Sequence, residues 1–114
     1  HKMSEITNFS WTRMDDGTLV YNLVPQAPIG GLDIKWTMAK RFGSTTPITE
    51  KYLSSGLNGT SGISVVSSGQ GVFSVSLNSV DTSGLDAQNY ATWVAVTSSG
   101  RYKEVAKGYC ILEN

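Results

Sequence analysis

The chain has 114 residues, nine basic and nine acidic side chains, an apolar share of 39% and a charged share of 16%. That length suits one domain able to bury about two-thirds of its unfolded surface. Zero net charge with no basic cluster argues against a nucleic-acid binder that neutralises phosphates and against a basic membrane-surface helix. No apolar run reaches the roughly 18 residues of a membrane span, and no signal-peptide or lipidation pattern is present, so no insertion into a bilayer is expected. His1 and Lys2 ahead of Met3 read as an expression remnant, leaving residues 3–114 as a single domain and His1 outside any functional argument.

In chain order, residues 6–13 and 18–24 have strand character and flank Met14, Asp15, Asp16 and Gly17, whose Asp-Gly pair is a hairpin signal. Leu19, Tyr21 and Leu23 alternate with Val20, Asn22 and Val24, the period of two that a half-buried strand requires. Residues 25–31 form a loop, because Pro25, Pro28 and the Gly30-Gly31 pair do not fit a central strand. Residues 34–41 follow as a strand with Ile34, Trp36 and Met38 facing inward. Residues 48–53 suit a short edge strand, and residues 54–62, with Gly56, Gly59 and Gly62, an exposed loop that orders against a partner. Residues 63–66 resume strand character before Ser68, Gly69, Gln70 and Gly71 turn the chain.

Residues 72–112 are the most informative stretch. Phe73, Val75 and Leu77 share one face, with Ser74, Ser76 and Asn78 on the other. Asp81, Gly84 and Leu85 suit a short helical turn leading into a tyrosine corner at Tyr90, where the hydroxyl bonds to backbone upstream. Tyr90, Thr92, Val94 and Val96 then oppose Ala91, Trp93, Ala95 and Thr97, and the Val94/Val96 side is the expected core. Ser98, Ser99, Gly100 and Arg101 turn into a closing strand, residues 102–112. The expected fold is all-β, an immunoglobulin-like sandwich of about seven antiparallel strands rather than a barrel. One cysteine excludes an intramolecular disulfide, which fits a reducing compartment. Cys110, between Tyr109 and Ile111, reads as a small buried hydrophobe.

No catalytic or metal pattern competes with this reading. Asp15, Asp16 and Asp33 lack the spaced oxygen ligands and closing Glu of a calcium loop, and turn chemistry explains them. Apart from His1 there is no histidine, which removes a Ser-His-Asp triad and a zinc-binding histidine pair together. Glu50, Asp81, Asp86, Glu104 and Glu113 are scattered over strand ends and turns rather than paired for glycoside cleavage. Gly69-Gln70-Gly71 lies between strands without the Lys of a phosphate loop. The sequons at Asn8 and Asn58 read as chance matches. The expectation is a protein with no enzymatic activity, no cofactor and no metal.

The aromatic residues carry the surface reading. Trp36 has core parity and suits the central packing residue of a sandwich. Trp93 lies opposite Val94 and Val96, on the face a lone domain shows to water. Tyr102 and Tyr109 on the neighbouring strand extend that patch, and Trp and Tyr are enriched in binding hot spots. The alternative is that long neighbours such as Lys103 or Lys107 cover Trp93. Trp11 is equally open between core and interaction surface.

Four features together resemble the immunoglobulin-like modules of tailed-phage virion proteins, of the baseplate upper and tail-fibre N-terminal type. They are the Gly71-x-Phe73-x-Val75-x-Leu77 strand, the Asp81-x-x-Gly84-Leu85 turn, Tyr90 opening a strand, and the Thr97-x-x-Gly100-Arg101 hairpin. Residues 32–39, containing Trp36, are similar to the family's early central strand, so the resemblance spans residues 32–112. It implies a structural subunit of the tail, baseplate or head surface, or a decoration protein. Such a subunit contacts other virion proteins, possesses no catalytic residues and is assembled in the bacterial cytoplasm; self-association into a homo-oligomer is compatible. The residues before Leu32 fall outside the resemblance and supply either the first strands or an arm for a neighbouring subunit's edge. Two other functions fit the composition: a module for host-surface carbohydrate, using Trp93 or Trp11 in a polar groove, and a phage-encoded inhibitor of a host protein.

Overall fold

Period-two alternation is the local rule that builds this molecule, and it needs two sheets to bury the apolar rows it creates. The computed structural model describes residues 5–6, 8–22, 29, 32–54, 59–98 and 101–114. Its strands are β1 (Glu5–Ile6), β2 (Phe9–Thr12), β3 (Gly17–Asn22), β4 (Asp33–Ala39), β5 (Thr49–Ser54), β6 (Gly59–Ser61), β7 (Ile63–Ser67) and β8 (Val72–Leu77). A one-turn helix α1 (Ser79–Thr82) leads to β9 (Asn89–Ser98) and β10 (Arg101–Glu113). The larger sheet has the order β1-β10-β9-β4-β5-β6, with β2 also paired to β10, and the smaller has the order β3-β8-β7. The two sheets make an immunoglobulin-like sandwich in which β3, β8 and β7 form one layer and β10, β9, β4 and β5 belong to the other.

The core lies between the sheets. Ile34, Trp36 and Met38 from β4 meet Phe73, Val75 and Leu77 from β8, with Val94 and Val96 from β9 and Cys110 and Leu112 from β10. At its centre the Trp36 indole Nε1–H donates to the Tyr21 hydroxyl over 2.9 Å, so the polar tip of the largest core side chain is satisfied. The Tyr21 ring stacks on Phe73 at 5.3 Å between centroids. Burial raises the Cys110 thiol to about 11, as expected for a cysteine packed as a hydrophobe.

The tyrosine corner is present: the Tyr90 hydroxyl donates to the Asp86 carbonyl over 2.8 Å. Helix α1 is capped by Asn78, whose side chain accepts from Val80 and Asp81 while the Asp81 carboxylate accepts from the Asn78 N–H. This reciprocal capping box makes so short a helix definite.

Several expectations are corrected. The strands are ten among the described residues, and they are not all antiparallel, because β1 and β2 run parallel to β10. Asn8 interrupts the stretch 6–13 between β1 and β2, and β1, β2 and β3 supply first strands rather than an arm for a neighbouring subunit. The Asp15-Asp16-Gly17 turn is not a hairpin, since β2 belongs to the larger sheet and β3 to the smaller. Long-range bonds make it a corner: the Met14 N–H donates to Thr82 Oγ1 over 2.7 Å, and the Ser79 N–H to Asp16 Oδ1 over 2.8 Å. Met14 takes φ 70°, a left-handed conformation uncommon outside glycine.

β6 flanks β5 only at Leu53 and Ser54, with a further bridge from Tyr52 to Gly62, so among the described residues the start of β5 is the expected edge, and part of the expected loop 54–62 is β6 itself. Residues 55–58 lie outside the described set, as do Leu23, Val24, Ser99, Gly100 and most of the loop 25–31. Ile29 from that loop is buried in the core and donates its N–H to the Ser68 carbonyl.

Candidate functional site

Strand register decides which side chains share the outer face of the larger sheet. Trp93 stands opposite Thr37 on β4 and Lys107 on β10, and Ala95 opposite Lys35 and Glu104. Opposite residues on paired strands point the same way, so these side chains form one surface facing away from the core.

Tyr102 and Tyr109 are seven positions apart, and strict alternation would send them to opposite faces. A β-bulge between Glu104 and Ala106 removes that conflict. The extra residue lets Val105 and Ala106 both face the core, and the parity of the strand inverts there. Tyr102 pairs with Thr97 before the bulge and Tyr109 with Ala91 after it. Both therefore join Trp93 on the outer face, with relative exposures of 61% and 43% respectively.

Two regions adjoin Trp93. On one side lies an aromatic cluster: the Phe42 ring is 6.1 Å from Trp93 and 5.2 Å from Tyr109, between centroids. The Lys107 ammonium sits 6.0 Å from the Phe42 ring centre, within cation–π range. Trp93 is half-buried with Phe42 beside it, whereas Lys103, opposite Val96, belongs to the other face. Phe42 comes from the turn after β4, where Gly43 adopts φ 76°. Its proximity to Trp93 depends on that turn folding back, and no alternation pattern signals it.

On the other side lies an open groove of about 440 Å³. Ala95 and Thr37 line its base, and Trp93, Tyr102, Pro47 and the Ser44-Thr45 pair also border it. The small Ala95 beside two large aromatic residues leaves the depression. Lys35 and Glu50 also line it and form an ion pair of 3.0 Å, with both side chains partly exposed.

Trp11 is placed elsewhere. It packs against the core from β2 and covers Gly17, where an added Cβ would come within 2.8 Å of its ring. Its buried indole N–H has no hydrogen-bond partner, and it does not join the Trp93 surface. Asn8, the first sequon residue, accepts the Tyr109 N–H over 2.9 Å, which ties the chain before β2 to β10. Asp16 is occupied by its bond to Ser79, and among the described residues no group of three or more His, Cys, Asp or Glu side chains is arranged to hold a metal ion.

A separate polar contact lies inside the sandwich. Lys51 stands opposite Trp36 and so faces inward, reaching Asp81 over 2.9 Å with side-chain exposures of 10% and 13%. It joins β5 to α1 and serves the fold rather than the outer face. No protein-family model matches this chain, and no curated protein matches it.

Proposed function

We propose that this chain is a non-enzymatic structural subunit of a tailed-phage virion that binds a neighbouring virion protein through the outer face of its larger sheet. The observation that carries the reading is the cluster of Phe42, Trp93 and Tyr109, extended by partly exposed Ile111. Grouped aromatic side chains left open to water on a rigid sheet are the usual anchors of a protein interface. The near-absence of net charge fits a contact made by shape and apolar area rather than by electrostatic steering. The virion assignment draws on the resemblance in residues 32–112, whose Asp81 turn and Tyr90 strand opening coincide with α1 and the tyrosine corner.

The test is immuno-electron microscopy of purified particles of a phage that encodes this chain. Label on tail, baseplate or head surface is expected, and unlabelled particles overturn the assignment. Light scattering behind a sizing column, on wild type and on a Phe42→Ser/Tyr109→Ser variant, examines self-association through this face. Oligomers in the wild type and a folded monomer in the variant would identify a second copy as the neighbour. Monomers in both would leave the neighbour a different virion protein.

A further inference from the structure

The groove beyond Trp93 has a chemistry different from the aromatic cluster. Its volume, about 440 Å³, lies within the usual range for small-ligand sites. Trp93 and Tyr102 supply flat apolar surface, and Thr37, Ser44 and Thr45 bring hydroxyls. The Ser44 and Thr46 hydroxyls lie 3.3 Å apart, and the Thr46 N–H donates to Ser44 Oγ over 3.2 Å, which fixes that wall as a turn. The ionised side chains lining the groove, Lys35 and Glu50, are paired with each other. They offer charged donors and an acceptor at one point while contributing no net charge.

An anion would gain from Lys35 but meet Glu50, and a cation would meet the reverse. A wholly apolar ligand would strip water from the ion pair and the hydroxyls without replacing those bonds. An uncharged ligand with an apolar face and groups that both donate and accept hydrogen bonds matches this lining. We propose that this groove binds a neutral saccharide, one sugar ring lying against Trp93 or Tyr102 and its hydroxyls bonding to the Lys35–Glu50 pair and the Ser44-Thr45 wall. A pyranose has both features, a face of C–H groups and an equator of hydroxyls that act as donor and acceptor together. The groove shares Trp93 with the aromatic cluster, but neither Phe42 nor Tyr109 lines it.

The test is a titration of the 15N-labelled chain followed through its three tryptophan indole resonances. The probes are short neutral oligosaccharides of glucose, galactose, mannose, rhamnose and N-acetylglucosamine, with sialyllactose as an anionic control. For at least one neutral probe, saturable movement of the Trp93 signal is expected while the Trp36 and Trp11 signals stay in place. Binding should differ little between low and high salt, since no net charge is neutralised. Tyr102→Ala and the groove-filling Thr45→Trp should each weaken it by roughly tenfold or more. Both sites are exposed, and signal dispersion confirms that the variants are folded. Tyr109→Ser, which alters the aromatic cluster but leaves the Phe42–Trp93 contact in place, should bind as wild type does, so a failed assembly reading leaves this result intact. No response to any neutral probe, retention of binding in Thr45→Trp, or salt-sensitive binding of sialyllactose alone overturns the proposal.

Discussion

Lys51 is the side chain whose removal tests the physical account of the fold most directly. Its ammonium lies 2.9 Å from the Asp81 carboxylate, and both side chains are nearly buried. Lys51→Met keeps much of the aliphatic stem and deletes the charge. The Asp81 carboxylate then retains the Asn78 N–H as a helix-cap partner but loses its counter-ion. Breaking a fully buried pair at one end costs about 3–5 kcal/mol. The remaining exposure of 10% and 13% admits some solvent, so about 2–3 kcal/mol is expected. For a chain of this size that is on the order of a 10 °C fall in Tm. Lys51→Met/Asp81→Asn should cost little more than Lys51→Met alone, because the second change removes the stranded charge. Urea denaturation of wild type, both single variants and the double variant gives the coupling, expected at about 1.5–2 kcal/mol with unchanged m-values. A loss below about 0.5 kcal/mol for Lys51→Met, or a coupling near zero, would place this pair with ordinary surface ion pairs and refute the reasoning.

Other substitutions probe neighbouring features. Gly62 adopts φ 82°, and an added Cβ would lie 2.5 Å from Lys51 Cδ. Gly62→Ala should therefore cost about 2–3 kcal/mol by urea denaturation, falling to about 1–2 in a Lys51→Ala background, where only backbone strain remains; equal costs in both backgrounds would show that Lys51 is not displaced. Tyr90→Phe deletes the bond to the Asp86 carbonyl and should cost about 1–1.5 kcal/mol; an unchanged urea midpoint would remove the corner from the list of stabilising contacts. The Cys110 thiol, raised by burial from 9.0 to about 11, remains protonated in the folded state where an unfolded chain begins to ionise. Its contribution to stability is complete below about pH 9 and declines as pH rises toward about 11. Alkylation at pH 8 should accordingly be slow until urea unfolds the chain, and rapid labelling of the native protein would contradict this.

What the sequence made legible was local in origin. Alternation placed Ile34, Trp36, Met38, Phe73, Val75, Leu77, Val94 and Val96 in the core, and Tyr90 showed the corner because its partner Asp86 is four residues away. The failures were long-range. An Asp-Gly turn has the same local chemistry whether it closes a hairpin or a corner between sheets, and the contacts with Thr82 and Ser79 select the corner. Lys51 looks like a solvated charge until α1 brings Asp81 beneath it. Gly59–Ser61 has glycine-rich loop composition but gains strand form by pairing with β5. Phe42 follows the turn that carries it to Trp93, and that contact leaves no periodic trace.

The bulge at Val105 shows how a packing device reaches the functional surface. With uninterrupted alternation from Tyr102, Lys107 and Tyr109 would face the core and Ala106 the solvent, an arrangement that buries a cation without a partner. Inserting one residue places Ala106, Gly108 and Cys110 inward and returns Lys107 and Tyr109 to the outer face. The same inversion permits Tyr102 to border the groove while Tyr109 packs on Phe42, so two chemically different regions occur on one sheet with Trp93 between them. The inversion sets the small residues Ala106 and Gly108 opposite Val94 and Thr92 on the core side. The division of the outer face is thus a consequence of how β10 completes the core, and both proposed binding regions depend on a bulge whose extra residue, Val105, points away from them.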